Sequence, residues 1–236
     1  MKRTFIIVAV IAALVAPIWA QDYGKTPDGM FWQLTPDKKG VVINGYDGKA
    51  GAVRIPDKIN NLPVVGIEEM GFSNNEARKI LTSVVIPNTV TTIGSGAFTG
   101  CTKLTSVTLP AGLTTIEDSL FRECTALTSI TLPATVKTIG PNAFNSCKAL
   151  TSISLPASIT TIGSSTFREC TKLTSITLPA SITTIGNLAF HNCTALTTVN
   201  IPASVTTITF GANVFQGANS LNLATVQVLV KRGYIF

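Results

Sequence analysis

The sequence is poor in charged residues and in the side chains that most often carry catalysis. Only 13% of its 236 residues are charged, and His191 is its single histidine. About a quarter of the residues of an average protein are charged, so hydroxyl side chains must cover much of this surface. The chain supplies few acids near His191, and no Ser–His–acid triad can be built there. We therefore expect no enzyme, and no cofactor.

Long apolar runs are also missing. The N-terminal run Phe5–Val15 is too short to cross a membrane, and it follows Lys2 and Arg3. This arrangement predicts a secretory signal peptide over residues 1–20, cleaved after Ala20; a retained anchor is the alternative. Removal of two basic residues takes the net charge from +6 to +4. The remaining basic residues are scattered, so no nucleic-acid surface and no transmembrane span are expected in the mature chain.

What the sequence has in abundance is repetition at an interval of 23 residues. Proline, phenylalanine and cysteine each mark the period. The marker positions are Pro87, Pro110, Pro133, Pro156, Pro179 and Pro202; Phe98, Phe121, Phe144, Phe167 and Phe190; and Cys101, Cys124, Cys147, Cys170 and Cys193. A period of 20 to 29 residues with an L-x-x-L-x-L core predicts a leucine-rich repeat solenoid, in which each unit buries its apolar face on its neighbours.

Alternation within each unit predicts which side chains face the core. In the segment 104–109, Leu104, Val107 and Leu109 are expected inside, while the residues between them face out on a concave sheet. Leu113 and Ile116 point inward again, which predicts a second short strand. The segment that follows is too short for a full α-helix, so a turn is expected there. The unit is therefore mostly β.

Written as L-x-x-V/I-x-L-P-x-x-L/I/V-x-x-I-G-x-x-A-F-x-x-C-x-x, the unit resembles the Treponema pallidum-type, or BspA-like, leucine-rich repeat of bacterial surface and secreted proteins. The resemblance covers residues 41–221. It implies a curved, β-rich solenoid. Members of that family are linked to adhesion and protein–protein contact, which implies a binding function, although a fold alone does not fix a function.

The predicted organisation has four parts after the signal peptide. Residues 21–52 form an N-terminal cap that begins as a loose polar stretch and continues as a β-hairpin. Residues 53–80 are a degenerate first repeat, and residues 81–220 are six regular repeats. Residues 221–236 form a C-terminal cap, with a strand at 221–230. Caps are needed because the apolar face of a terminal repeat has no neighbour.

The cysteine column has three interpretations. Five cysteines in a secreted chain suggest disulfides, with one thiol left over. Equivalent side chains of neighbouring units, however, lie parallel and about 4.8 Å apart, whereas disulfides need β-carbons about 3.8 Å apart. We therefore expect buried, reduced thiols; one or two bridges remain the alternative. A metal site is disfavoured, because no closely spaced cysteine pair is present.

Hydroxyl side chains on the predicted concave sheet form the candidate partner-binding surface. The alternative is that threonine only keeps a solvent-facing strand soluble. Because identical columns cannot fix a partner's register, specificity is expected from positions that break the repeat: Arg54 and Val85 near one end, and Asn200 near the other. The hydroxyl candidates are Thr105, Ser106, Thr108, Thr128, Ser129 and Thr131.

The sequence therefore predicts a secreted protein that binds a protein partner, and the family resemblance implies adhesion to host or cell-surface components. One alternative is a module that binds a glycan or a small apolar ligand on the concave face. Another is a structural envelope protein whose ends stack. Ice binding by the threonine array is disfavoured by the curvature. The expected location is the periplasm, the cell surface or the extracellular space, and no oligomeric state is predicted.

Overall fold

The computed structural model describes residues 22–236, which form the predicted β-solenoid of 23-residue units. The predicted signal peptide, residues 1–20, lies outside the described residues. The strands are β1 (Tyr23–Lys25), β2 (Met30–Leu34), β3 (Val41–Tyr46), β4 (Ala52–Arg54), β5 (Lys58–Ile59), β6 (Leu62–Ile67), β7 (Ser83–Val85), β8 (Thr92–Ile93), β9 (Ser106–Thr108), β10 (Thr115–Ile116), β11 (Thr138–Ile139), β12 (Thr161–Ile162), β13 (Ser175–Thr177), β14 (Thr184–Ile185), β15 (Thr198–Asn200) and β16 (Thr209–Phe210). The helices are α1 (Asn75–Ile80) and α2 (Leu223–Lys231).

Each regular unit contributes two extended segments that stack on their equivalents in the next unit. The first segment forms what we call the strand face, made of β4, β7, β9, β13, β15 and the equivalent residues 129–131 and 152–154. This is the face predicted to be concave. We number the regular units 1 to 6 by their first residues: Leu81, Leu104, Leu127, Leu150, Leu173 and Leu196.

The second segment forms the five-stranded parallel sheet β10-β11-β12-β14-β16. Its register is regular, with Ile116 opposite Ile139 and Ile139 opposite Ile162. These isoleucines are fully buried, while Thr138 of the same sheet is exposed. The predicted second short strand is confirmed.

The predicted N-terminal hairpin is confirmed as the antiparallel pair β2 and β3. The sheet continues through β6 to β8, so this cap extends the short-strand side of the solenoid rather than the strand face. One expectation was wrong: Tyr23–Lys25 is not loose but pairs as β1 with β2. In the first repeat, Asn60 and Asn61 have φ of 51° and 64° and join the hairpin β5–β6, a backbone conformation that asparagine tolerates.

The core is a stack of aromatic rings, one from each unit. Neighbouring ring centroids along the stack lie 5.2–5.7 Å apart. The sequence predicted the phenylalanine column, but not that Tyr46 begins the stack or that Tyr234 closes it edge-on against Phe215 at 5.1 Å. Aromatic pairs in these geometries contribute about 0.5–1.5 kcal/mol beyond the burial of their area.

The predicted C-terminal strand was wrong, because Leu223–Lys231 is the helix α2. Asn222 caps it by accepting a hydrogen bond from the Thr225 amide at 2.8 Å. Thr225 and Leu229, one helical turn apart, are buried against the last unit. The Thr225 hydroxyl accepts from the backbone N–H of Val199 at 3.4 Å, so the helix covers the free edge of β15. A run rich in β-branched residues therefore folds as a helix, because its N-cap and its packing outweigh the preference of such residues for strands.

Candidate functional site

The strand face exposes the hydroxyl residues that the sequence assigned to it. Thr105, Ser106 and Thr108 are exposed, while Leu104 and Leu109 on either side of them are buried. One expectation needs correction: Val107 is only half-buried. Its strand β9 pairs with β7 but, in the described residues, with no strand of unit 3.

Two of the three predicted repeat-breaking residues lie side by side. Arg54 on β4 is in register with Val85 on β7, and Val85 is in register with Thr108 on β9. Since adjacent strands lie about 4.8 Å apart, the three side chains form a row about 10 Å long. Arg54 is exposed and Val85 is half-buried. This end of the face therefore combines a cation, an apolar side chain and a hydroxyl.

The third repeat-breaking residue, Asn200, lies on β15 at the far end of the solenoid. Its amide nitrogen donates to the hydroxyl of Thr177 at 3.2 Å. The remaining candidates, Thr128, Ser129 and Thr131, are exposed on the extended segment of unit 3. The structure thus separates the candidates into an N-terminal group and a single distant residue.

Part of the hydroxyl array is used internally. The side chains of Thr105, Thr151 and Thr197 donate to the backbone carbonyl of the preceding unit at 3.0, 3.3 and 3.1 Å. These three hydroxyl protons are therefore already used in hydrogen bonds that join neighbouring units. In the described residues, the hydroxyls of Thr128 and Thr131 donate to no such carbonyl, so they are free to meet a ligand.

Backbone pairing on the strand face is interrupted between units. Strands β4, β7 and β9 form one sheet, and β13 and β15 form another. Between these sheets, the described residues form the isolated bridge of Thr131 with Ser154 and two single backbone bonds, from Thr151 to Thr128 at 3.0 Å and from Thr174 to Thr151 at 3.4 Å. Within residues 22–236, no ladder joins β9 to unit 3 or unit 4 to β13. The strand face therefore opens twice, between units 2 and 3 and between units 4 and 5.

Each opening forms a groove. The groove between units 2 and 3 has a volume of about 530 Å³, and its lining includes Val107, Leu109 and Pro133. The groove between units 4 and 5 is smaller, at about 340 Å³, and its lining includes Ile153 and Pro179. The sequence did not predict either groove, since the units on both sides have almost the same residues.

The cysteines occupy the core and not a surface site. All five are free and buried. Each Sγ donates to the carbonyl of the preceding unit's phenylalanine, as in Cys147 to Phe121 at 3.1 Å. Burial raises the pKa of Cys101 and of Cys193 to about 12. The predicted place of the cysteines in the core is confirmed, and the thiols are poor nucleophiles because the thiolate is disfavoured. That all five are reduced stays a prediction.

His191 lies in a turn of unit 5 and is half-buried, and its Nδ1 atom is buried without a hydrogen-bond partner in the described part of the chain. Residues 22–236 hold no group of three or more metal-ligating side chains. None of the helices in the same range is long and apolar enough to span a membrane.

Comparisons with known proteins agree with this geometry. The family model for the BspA-type leucine-rich repeat region matches residues 67–165 and 91–223. The solved leucine-rich repeat protein of T. pallidum is similar, with 34% identity over 89% of this chain and 97% of that one, and a TM-score of 0.81. A leucine-rich repeat protein from Bacteroides ovatus shares the fold at 24% identity, with 85% and 70% coverage and a TM-score of 0.62. The search of curated proteins found no match.

Proposed function

The chain belongs to the BspA-type leucine-rich repeat family, and on that premise we propose that it is a secreted protein that binds a protein partner through the strand face. Leucine-rich repeats are in general scaffolds for protein–protein contact rather than catalysts. The proposal includes adhesion: the partner is a host or cell-surface component, and the protein works outside the inner membrane. The mild positive charge and the scattered basic residues give no support to a nucleic-acid partner.

One observation carries the proposal, namely the row formed by Arg54, Val85 and Thr108. Energetic hot spots combine arginine or aromatic side chains with apolar surface that loses its water on binding. The row offers a cation beside a half-buried valine, flanked by exposed hydroxyls. Uniform hydroxyl columns elsewhere offer the same surface in every unit, so a partner could slide along them. We therefore place the site in the N-terminal half of the strand face.

The test is a pull-down with the mature chain from extracellular matrix and cell-surface material, followed by affinity measurement with two double variants. Val85→Asp with Arg54→Glu should weaken binding by about 1–2 kcal/mol or more. Thr151→Ala with Thr174→Ala, the matched change in the central array, should have little effect. Thermal melting should show that both variants are folded, with a small loss in the second because Thr151 no longer bonds to the Thr128 carbonyl.

The opposite ranking of the two double variants would contradict the placement. It would move the site to the hydroxyl array and favour the alternative of a glycan ligand. A stacked envelope assembly, the other alternative, would instead appear as concentration-dependent growth in light scattering without any captured partner.

A further inference from the structure

We infer that one edge of the solenoid binds a linear acidic polysaccharide, whose repeated sulfate or carboxylate groups meet a row of lysines. The inference goes beyond the protein partner proposed above, because it names a second ligand and a different surface. The edge is formed by the turns that precede the strand-face segments of successive units, and we call it the basic edge. Its members are residues 47–50, helix α1 and residues 99–103, 122–126, 145–149 and 168–172.

The basic edge carries the whole net charge of the chain that follows residues 1–20. It holds eight basic and four acidic residues, whereas the rest of that chain holds eight of each. The basic residues are scattered in the sequence, but the 23-residue period brings half of them to one side of the molecule. A surface field of one sign attracts an oppositely charged polymer. The basic members are Lys49, Arg78, Lys79, Lys103, Arg122, Lys148, Arg168 and Lys172.

Five lysines form a row along this edge, and all five are exposed. In chain order they are Lys49, Lys79, Lys103, Lys148 and Lys172. Lys49, Lys103 and Lys172 each stand three residues before the first residue of a strand, namely β4, β9 and β13. Strands β4 and β9 are both in register with β7, so equivalent turns lie one above another. The row therefore follows the axis of the ring stack, whose centroids repeat every 5.2–5.7 Å.

Most of the row has no counter-ion within the protein. Each of the four acidic residues of the edge already has a basic partner at 2.8–3.8 Å; the pairs are Asp47–Lys25, Glu76–Lys79, Glu123–Arg122 and Glu169–Arg168. In the described part of the chain, the ammonium groups of Lys49, Lys103, Lys148 and Lys172 form no ion pair. These four charges are therefore available to the anionic groups of a ligand.

Helix α1 belongs to the edge by contact as well as by its place in the sequence. Gly100 has a φ of 72°, and a β-carbon added there would lie 2.8 Å from Cδ of Arg78. The side chain of Arg78 therefore lies across the turn that ends at Lys103. Asn74 caps the helix by accepting a hydrogen bond from the Ala77 amide at 2.8 Å. The cations of the helix are thus held beside the first turns of the row.

The side chains around the row favour a polysaccharide over other polyanions. Lysine ammonium groups are point charges on flexible stems, so they can follow anionic groups whose positions vary along a polymer. The exposed hydroxyls of Ser106 and Ser175 stand three residues beyond Lys103 and Lys172, where they can bond to the hydroxyls of a sugar. The sequence of the basic edge contains no phenylalanine, tyrosine or tryptophan, the side chains on which the bases of single-stranded nucleic acids stack.

The probe for the experiment is a fluorescently labelled heparin oligosaccharide, which carries both sulfate and carboxylate groups. Titration with the full chain in about 0.15 M salt should give saturable binding by fluorescence anisotropy, and the binding should weaken as salt screens the charges. Replacement of Lys103, Lys148 and Lys172 together by glutamine should lower the affinity roughly tenfold or more, because each lysine beside an anionic surface adds to the attraction. The absence of saturable binding to the parent would overturn the inference.

A matched triple variant separates the row from the net charge. Lys39, Lys58 and Lys137 are also exposed and form no ion pair in the described residues, but they lie outside the basic edge. Their joint replacement by glutamine removes the same charge and should change the heparin affinity by less than about twofold. Equal losses in the two triple variants would show that net charge alone attracts the ligand and would contradict the site. Replacement of the three edge lysines by arginine keeps the charge and should keep the affinity.

Competition identifies the class of polymer. Unlabelled heparin should displace the probe, whereas poly-glutamate and single-stranded DNA of equal total charge should displace it roughly tenfold less well or worse. Displacement by poly-glutamate as effective as that by heparin would reassign the edge to acidic protein segments, and the same result with DNA would reassign it to nucleic acid. Either result would overturn the polysaccharide assignment. None of these measurements uses the captured protein partner, so their failure leaves the proposed function in place.

Discussion

The two sides of the solenoid are built from the same repeat but differ in regularity. On the core side, every unit stacks a ring on its neighbour, as in Phe121 on Phe144 at 5.6 Å. Each cysteine there repeats one hydrogen bond, such as Cys170 to Phe144 at 3.2 Å. On the strand face, the backbone ladder joins some units and leaves others apart.

The difference shows which contacts hold the units together. Identical buried side chains give each interface the same stack, so the core contributes equally along the chain. Strand pairing covers only three residues per unit, as in β9 and β13, and its loss at one interface leaves the stack intact. Stability is thus placed in the core, and the strand face can vary between units without loss of the stack.

The largest expected effect comes from breaking the core stack. Phe144→Ala should lower the free energy of unfolding by about 3–5 kcal/mol, because a fully buried ring in contact with two others is lost. Urea denaturation measures it. Thr131→Ala, at the bridge on the strand face, is the matched control and should stay within about 0.5 kcal/mol. Comparable losses in the two variants would contradict the assignment of stability to the core.

The buried cysteines should contribute less to the free energy of unfolding than the phenylalanines do. Cys147→Ala should cost only about 1 kcal/mol, the scale of a small buried group. Phe144→Ala in the same unit is the comparison. An equal loss of unfolding free energy in the two variants would show that the thiol contributes more to stability than its small volume predicts.

Thiol chemistry sharpens the same contrast. In the native protein at pH 8, a thiol reagent should label none of the cysteines, and in denaturant without reductant it should label all five. Burial raises the pKa of Cys101 from its ordinary value of 9.0 to about 12. Since the folded state holds the proton more tightly, this stabilisation is present below pH 9 and is lost as the pH rises towards 12. Labelling of two or fewer thiols in denaturant would instead show that disulfides are present.

The smallest effect concerns a turn. Leu188 has a φ of 58°, whereas the equivalent residues of other units are Gly96, Ser119, Asn142 and Ser165. A left-handed conformation costs most side chains about 1–2 kcal/mol, and asparagine tolerates it better. Leu188→Asn should therefore raise the free energy of unfolding by roughly 0.5–1 kcal/mol. Leu188→Ala is the control, and an equal gain from it would show that strain is not the cause.

Much of the fold was predictable because the core residues repeat. The spacing of phenylalanine and cysteine placed Phe144 and Cys147 in the core, and alternation placed Thr105 outside. The C-terminal helix was not predictable from its β-branched run, since its formation depends on the Asn222 cap and on packing against the last unit. Tyr46 was missed as well, because its distance from Ile43 differs from the spacing inside the repeats.

The candidate site was predictable only in part. The repeat-breaking residues Arg54 and Val85 could be read from the sequence, and the structure adds that they are neighbours. Their role in binding stays a prediction, as do the unit and cap boundaries. The groove could not be predicted: the strand residues of units 2 and 3 differ only by Val107 against Ile130. Local sequence therefore cannot say which interface opens.

Amide hydrogen exchange tests the central contrast most directly. Leu109 lines the groove and its N–H makes no backbone bond in the described residues, whereas the equivalent N–H of Ile86 bonds to Thr108 at 3.0 Å. Leu109 should exchange roughly tenfold faster than Ile86, since one backbone bond is missing. On the core side, the amides of Phe98 and Phe121 both bond to the next unit and should be equally protected. Equal protection of Leu109 and Ile86 would show that the strand face is closed between units 2 and 3 and would contradict the account.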